Sequence, residues 1–295
     1  MKIIWAYLSL IGATFLWGSS FVALKVAVNF YSPFVVIFFR MFIACVVFIF
    51  IWSRIKPTSL SIKQVKLILL MCFFEPCLYF LFEGFALKYT SAGQASLIVS
   101  TLPLMVAILA CFTLKEKVNF NTIFGFLLAI SGVVLLTMAS DVNMHSPSPF
   151  LGNLLEFIAM ITASGYIILA RYLSATFHPF FLAFAQAFIG AVFFLPFMLL
   201  FGDINSLELK FWPVVSIVYL GFMVTFLAYS LYNFSLSRLE ASKASAFTNL
   251  IPVFSIGLSW FLLDEKLNSV QIIGIGLVVL GIIYSQNFLR FLKKV

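Results

Sequence analysis

Glu75, Tyr79 and Glu83 are spaced four apart in a segment that otherwise reads as hydrocarbon, LILLMCFFEPCLYFLFEGFAL at residues 67–87. On a helix this spacing places the three along one stripe that drifts slowly around the axis. A carboxyl in an apolar setting without a cation of its own keeps its proton. Glu75 can therefore serve as a proton-coupling group or receive a ligand ammonium. A neutral Glu75 hydrogen-bonded to a backbone carbonyl satisfies the same residues equally well. Glu83 has a candidate partner. Arg40 lies seven residues past Pro33 and Glu83 five residues before Lys88, which at 1.5 Å per residue puts both about 10 Å inside the apolar layer. Their chemistry is either anion binding by the guanidinium or a bridge that only locks two helices together. Pro76 follows Glu75 directly, removes a backbone N–H and crowds the turn before it, freeing the carbonyl of Cys72.

Neutral polar residues add to this set. Gln94, Ser96, Ser100 and Thr101 precede Pro103, and Ser245, Thr248 and Asn249 precede Pro252. Small and hydroxyl residues serve close helix packing. Asn249 is bulkier and well inside its apolar run, so it stands out as a binding candidate. Trp17, Tyr79, Tyr166, Tyr229 and Tyr232 are candidates for an aromatic wall, although with aromatics at 18% of the chain most rings must be packing. Lys25, Lys88, Glu156 and Arg171 fall at the ends of apolar runs, where their heads can reach water. Glu116, Lys117, Glu265 and Lys266 read as helix caps or interfacial ion pairs.

Several chemistries are not represented. His145 and His178 lie in separate polar connections, and the chain has no HExxH, GxSxG or glycine-rich phosphate loop. Cys45, Cys72, Cys77 and Cys111 lack metal-ligand spacing. No cofactor or metal is expected.

The elements that must position these groups follow from composition. Of 295 residues, 63% are hydrophobic and 9% charged, against about a quarter charged in a water-soluble domain. Ile3–Leu24, Tyr89–Leu114, Val118–Ser140, Phe211–Ser237 and Leu267–Leu289 contain no Asp, Glu, Lys or Arg. Each can cross the roughly 30 Å hydrocarbon layer as a helix. Barrel strands would alternate in polarity, and these runs do not. The fold class is therefore all-α and integral to a membrane, with ten transmembrane helices near 3–24, 33–53, 67–87, 91–113, 120–138, 152–170, 179–201, 212–235, 242–263 and 270–289. The first run is too long for a typical signal-peptide core.

The same unit is used twice. LKEKVN at 114–119 returns as LDEKLN at 263–268, an offset of 149 that also superposes Phe85 on Phe234, Ala95 on Ala244, Pro103 on Pro252 and Gly125 on Gly274. An offset of 146 superposes Pro33 on Pro179, Lys25 on Arg171 and Arg40 on Gln186. The expected division is a first repeat at 1–139, a polar periplasmic linker at 140–151, a second repeat at 152–289 and a cytoplasmic tail at 290–295. Five helices per unit is an odd number, so the second unit enters the membrane inverted. Inverted repeats are built around a site near mid-membrane. A cytoplasmic N-terminus leaves only Lys25, Lys88, Lys210 and Lys266 on the outer side and thirteen basic residues inside, which places both termini in the cytoplasm. This asymmetry accounts for the net charge of +8 without any nucleic-acid partner.

LWGSSFVALKVA in the first span, FFRMF around Arg40, and the long segment LKYTSAGQASLIVSTLPLMVAILACFTLKEKVNFNTIFGFLLAISGVVLL with its second copy resemble the drug/metabolite transporter superfamily, specifically its ten-helix EamA branch. The resemblance covers nearly the whole chain. It implies two tandem EamA repeats and a carrier in the bacterial inner membrane that moves small metabolites, often outward. One departure is that Trp17-Gly18 is answered in the second repeat by Ala163-Ser164, so that the matching aromatic is either missing there or comes from Tyr166. The expected function is secondary transport of small organic metabolites such as amino acids, by alternating access, with no enzymatic activity. The partners are a small solute and the lipid bilayer, and the sequence does not fix the oligomeric state. Trp17, Arg40, Glu75, Tyr79, Glu83, Tyr232 and Asn249 are the candidate binding or coupling residues. A membrane-embedded transferase and a non-transporting scaffold are the competing functions. A channel is disfavoured by the lack of a filter motif.

Overall fold

The computed structural model describes residues 2–114, 120–139, 146–202, 208–264 and 268–285. Glu116, Lys117, Glu265, Lys266, residues 140–145 of the 140–151 linker with His145, and the 290–295 tail lie outside the described residues. The described chain is helical and contains no β-strand. Its rods are α1 (Lys2–Val28), α2 (Pro33–Ile49), α3 (Ile62–Tyr89), α4 (Ala92–Thr113), α5 (Phe120–Met138), α6 (Pro149–Leu173), α7 (Pro179–Phe201), α8 (Phe211–Leu236), α9 (Ala241–Leu263) and α10 (Ser269–Ser285). Among the described residues seven helices are long and apolar enough to cross a membrane, while Pro33–Ile49 is a shorter apolar helix.

Local chemistry sets the starts of these rods. Pro33, Pro149 and Pro179 open α2, α6 and α7, where the missing N–H costs nothing. Ser61 and Gln64 form a reciprocal cap that starts α3 at Ile62, five residues before the apolar run begins. The second rod ends at Ile49, short of the expected residue 53, and a separate turn follows at Trp52–Ile55. Around the perimeter, Phe50, Phe112, Leu200, Phe211, Trp212 and Phe261 are each more than 70% exposed. An apolar surface of that extent is suited to lipid.

Contacts between the halves come in matched sets. The second rod packs on α7 and α5 on α10. The first packs on α9 as α6 does on α4, and α3 packs on α6 as α8 does on α1. Exchanging α1–α5 with α6–α10 leaves this pattern unchanged. A pair of hydrogen bonds repeats in the same way. Lys25 Nζ donates to the Leu87 carbonyl at 2.7 Å, and Arg171 donates to the Leu236 carbonyl at 2.6 Å. These residues correspond under the 146 and 149 offsets.

Four rods are irregular, again in corresponding pairs. The third is broken at Glu75, whose φ of −148° and ψ of 115° are extended. The eighth widens its turns over Leu220–Ala228. The fourth pauses at Ser100–Thr101 between Val99 and Leu102, and α9 tightens over Phe247–Asn249. Pro76, Pro103 and Pro252 sit at or just after these irregularities, where a proline removes a donor and crowds the preceding turn.

Candidate functional site

Where the irregular segments meet, the helices enclose a cavity of about 40 Å³. That is space for a few waters, at about one probe sphere of 10–15 Å³ each. Solute pockets run to several hundred Å³, so the site is narrow in this conformation.

Its wall is built in pairs. Trp17 and Ala163, Ser20 and Tyr166, and Phe21 and Ile167 all line it and are related by 146; Phe80 and Tyr229, Val99 and Thr248, and Leu102 and Ile251 are related by 149. The ionisable wall is not paired. The groups that carry full charge, Arg40, Glu75 and Glu83, all come from the first half, and their counterparts are Gln186, Val224 and Tyr232.

Each of these side chains is buried and held. Arg40 is 2% exposed; its Nε donates to Thr225 Oγ1 at 3.1 Å, and its guanidinium carbon lies 4.2 Å from the centre of the Phe80 ring. The nearest Arg40–Glu83 approach is 3.9 Å, a charge pair longer than a direct hydrogen bond. Tyr79 donates its hydroxyl proton to Glu83 Oε1 at 2.6 Å. Tyr229 donates to Glu75 Oε1, and Gln186 Nε2 reaches the Glu75 carbonyl at 3.4 Å. A polar chain runs on from there: Asn233 Nδ2 donates to Gln186 Oε1 at 3.3 Å, and Tyr166 donates to Asn233 Oδ1 at 2.8 Å. The bend at Pro76 is seated on Gly190 of α7, where an added Cβ would fall 2.6 Å from the proline ring.

Five of the sequence-derived candidates line the cavity: Trp17, Arg40, Glu75, Tyr79 and Glu83. Tyr232 and Asn249 do not. The Tyr232 ring packs on Trp17 with centroids 4.7 Å apart, and its hydroxyl, like Trp17 Nε1 and both side-chain polar atoms of Asn249, is buried without a hydrogen-bond partner. Thr248 occupies the lining position next to Asn249. The partner of Glu75 is the Tyr229 hydroxyl, not a cation and not a backbone carbonyl. Lys25 and Glu156 do not reach for water as their place near span ends suggests. Lys25 is 1% exposed and closes the end of α3 through Leu87 O and Thr90 O, where a helix C-terminus attracts a cation. Glu156 is fully buried.

Sequence reasoning gave no site role to Thr225, Gln186 or Asn233. Gln186 could have been found as the repeat counterpart of Arg40, and Asn233 as the only side-chain amide in the uncharged run Phe211–Ser237.

The sequence pattern of the EamA-like transporter family matches this chain twice, at residues 4–138 and 150–285. A protein of Archaeoglobus fulgidus called an uncharacterized transporter is 31% identical over 274 residues, covering 90% of this chain and 93% of its own. YcxC of Bacillus subtilis, also called an uncharacterized transporter, is 28% identical and covers 95% of this chain and 92% of its own. A chloroplastic WAT1-related protein of Arabidopsis thaliana is 28% identical over 95% of this chain and 68% of its own. A solved crystal structure superposes with a TM-score of 0.69 over 97% of this chain and 98% of its own at 19% identity, a likeness of fold.

Proposed function

The chain belongs to the EamA-like transporter family, and we propose that it is a secondary carrier exporting small organic metabolites, amino acids or related compounds, across the bacterial plasma membrane. In this reading ten helices span the bilayer as two inverted five-helix repeats, 1–139 and 152–289, joined by a periplasmic linker, with both termini in the cytoplasm. The halves rock about the central cavity to expose it to one side at a time.

The observation that carries the reading is a guanidinium and two carboxyls, each less than 5% exposed, around one cavity on the seam between the halves. Ionisable groups buried in a membrane are costly and are kept for function. Their chemistry suits an amphoteric solute. Arg40 offers charged donors to a carboxylate, and Glu75 offers an acceptor to an ammonium. Phe80, Tyr229 and Trp17 supply flat apolar faces. A group set of this kind grips and releases a solute; a transferase would need a nucleophile beside a base. The narrow cavity, about 40 Å³, would have to widen to admit a solute, as the rocking of the halves provides.

The test is counterflow in proteoliposomes loaded with a mixture of the common amino acids, run on the wild type and Glu75→Gln. Exchange by the wild type and its loss, or loss of its pH dependence, in a normally inserted Glu75→Gln is expected. Unchanged exchange in the variant removes Glu75 from the mechanism. An untargeted comparison of extracellular metabolites with and without the gene identifies the solute.

A further inference from the structure

Glu156 is the one buried carboxyl among the described residues with no hydrogen-bond partner at either oxygen, and it is 0% exposed. It continues the cavity wall: Glu156, Met160, Ala163 and Ile167 follow one face of α6 at steps of four, three and four, and the last three line the cavity. One turn towards the start of α6, Asn153 is bonded to Thr90 and Gln94. There the seam is tight, because a Cβ on Gly152 would lie 2.7 Å from Thr90 and 2.9 Å from the Ala86 carbonyl. Glu156 thus stands between a plugged helix end and the central site.

Its surroundings hold acids and no free cation. The part of α3 that packs on α6, Tyr79–Tyr89, carries Glu83 and Tyr79. Lys88 is exposed, as are Lys63 and Lys66 at the far end of that rod. Neither Ala92–Thr113 of α4 nor Phe120–Met138 of α5 contains Asp, Glu, Lys, Arg or His. On α8, Tyr229 is engaged with Glu75 and Tyr232 with Trp17, and on α9 Lys243 pairs with Glu240. Lys25 is bonded to the carbonyls of Leu87 and Thr90. Three carboxyls, Glu75, Glu83 and Glu156, share this buried region with one guanidinium. With Glu83 ionised against Arg40, a second negative charge at Glu156 has nothing to balance it, so the pair holds one proton between two sites.

We infer that Glu156 is a proton site serving the central cavity, exchanging its proton with Glu83. The inference rests on the carrier reading above. When a solute carboxylate takes Arg40, Glu83 loses its counter-charge. The Glu156 proton passes to the Glu83 carboxylate, the Glu156 O–H bond breaks, and the new carboxylate recovers a proton from water through the Asn153 end of α6. One proton enters for each solute carboxylate bound, and the net charge of the buried set is unchanged. In the proposed topology that end faces outside, and when the solute leaves Arg40 the proton returns to water by the same route as Glu83 re-pairs with Arg40.

The deciding measurement is the infrared spectrum of the full-length protein in lipid at neutral pH, wild type against Glu156→Gln and Glu156→Asp. The wild type minus Glu156→Gln difference is expected to carry the C=O stretch of a protonated carboxyl, and Glu156→Asp to restore it. A difference spectrum without that band overturns the inference. Glutamine preserves shape and removes the proton, whereas aspartate preserves the proton and shortens the side chain. Rescue by aspartate alone therefore excludes a purely packing role. In weakly buffered proteoliposomes, addition of the amino-acid mixture is expected to draw protons into the wild type and Glu156→Asp. Glu156→Gln is expected to lose that uptake, and uptake retained by Glu156→Gln also overturns the inference. If the wild type shows no counterflow with the mixture, the carrier reading of the solute fails, and the infrared band still decides the state of Glu156.

Discussion

Breaking the Arg40–Glu83 pair from each side, and then from both, separates a structural bridge from a solute ligand. The two charges approach to 3.9 Å with side chains 2% and 5% exposed. At an effective dielectric constant of about 20 their attraction is about 4 kcal/mol. Arg40→Met leaves Glu83 buried with the Tyr79 hydroxyl as its hydrogen-bond donor. Removing one partner of a buried pair costs about 3–5 kcal/mol, and Glu83 reduces that penalty towards the lower end by taking up a proton. Glu83→Gln keeps an acceptor for Tyr79 but strands the guanidinium on Thr225 and the Phe80 face. The double variant Arg40→Met/Glu83→Gln has no charge left to strand, so it should be more stable than the sum of the singles by about 2–3 kcal/mol. Cys45, Cys72 and Cys77 are buried free thiols, so a thiol-reactive fluorophore reports unfolding in detergent directly. Counterflow on the same samples supplies the second axis. We expect stability to return in the double variant and transport to stay lost, because the solute has lost its guanidinium. Additive destabilisation, within about 0.5 kcal/mol, would show that the pair is not an energetic unit. Transport restored together with stability would reduce Arg40 to a lock between helices.

Two further outcomes test the paired architecture. Lys25→Met removes charged donors from two carbonyls, at 2.7 and 2.8 Å, and Arg171→Met from one at 2.6 Å; at about 1.5–3 kcal/mol per hydrogen bond to a charged group, thermal unfolding should show the first costing about twice the second, and equal costs would contradict the geometry. Single cysteines placed at Glu116 and Glu265 in a background without native cysteines should react with a membrane-impermeant reagent from opposite faces, and labelling from one face ends the inverted-repeat reading.

Much of the architecture was legible because the bilayer simplifies the reading. Uncharged runs of about 20 residues admit few alternatives to helices, and Pro33 and Pro179 start α2 and α7 at the residues the runs suggest. The break beside Glu75 was readable from Pro76 for the same reason, since a proline within a helix removes a donor whatever surrounds it. What the sequence could not supply was who meets whom. Tyr229 reaches Glu75 from 154 positions away, and no local periodicity encodes that contact. Lys25 was misread because its partners are the last carbonyls of another rod, which a span-by-span estimate of depth does not see. The choice of Asn249 over Thr248 failed on phase. Phe247–Asn249 is a tighter turn, advancing about 120° per residue in place of 100°. A count that assumes a regular helix therefore aims the wrong side chain at the cavity.

The contrast between a paired wall and unpaired charges bears on how the two halves divide the work. Two identical inverted repeats would give inward- and outward-open states equal energy, because each state would be the other turned over. Here the shell keeps that equivalence at six lining pairs. The latches do not: Lys25 closes one helix end with two bonds, and Arg171 closes its counterpart with one. One extra charge-assisted bond, at about 1.5–3 kcal/mol, biases a two-state equilibrium by about one to two powers of ten. In the proposed topology the stronger latch lies on the outer side, within the first half and near Glu83. A solute carboxylate that takes Arg40 frees Glu83, which adjoins that latch through α3. The first half therefore holds the charged ligands and the stronger closure, and the second half supplies Glu156 and the matching surface against which they move. Lys25→Met tests this directly. Beyond losing stability, the variant should show increased outside labelling of a cysteine placed at Thr90, and unchanged labelling would separate the latch from the choice of resting state.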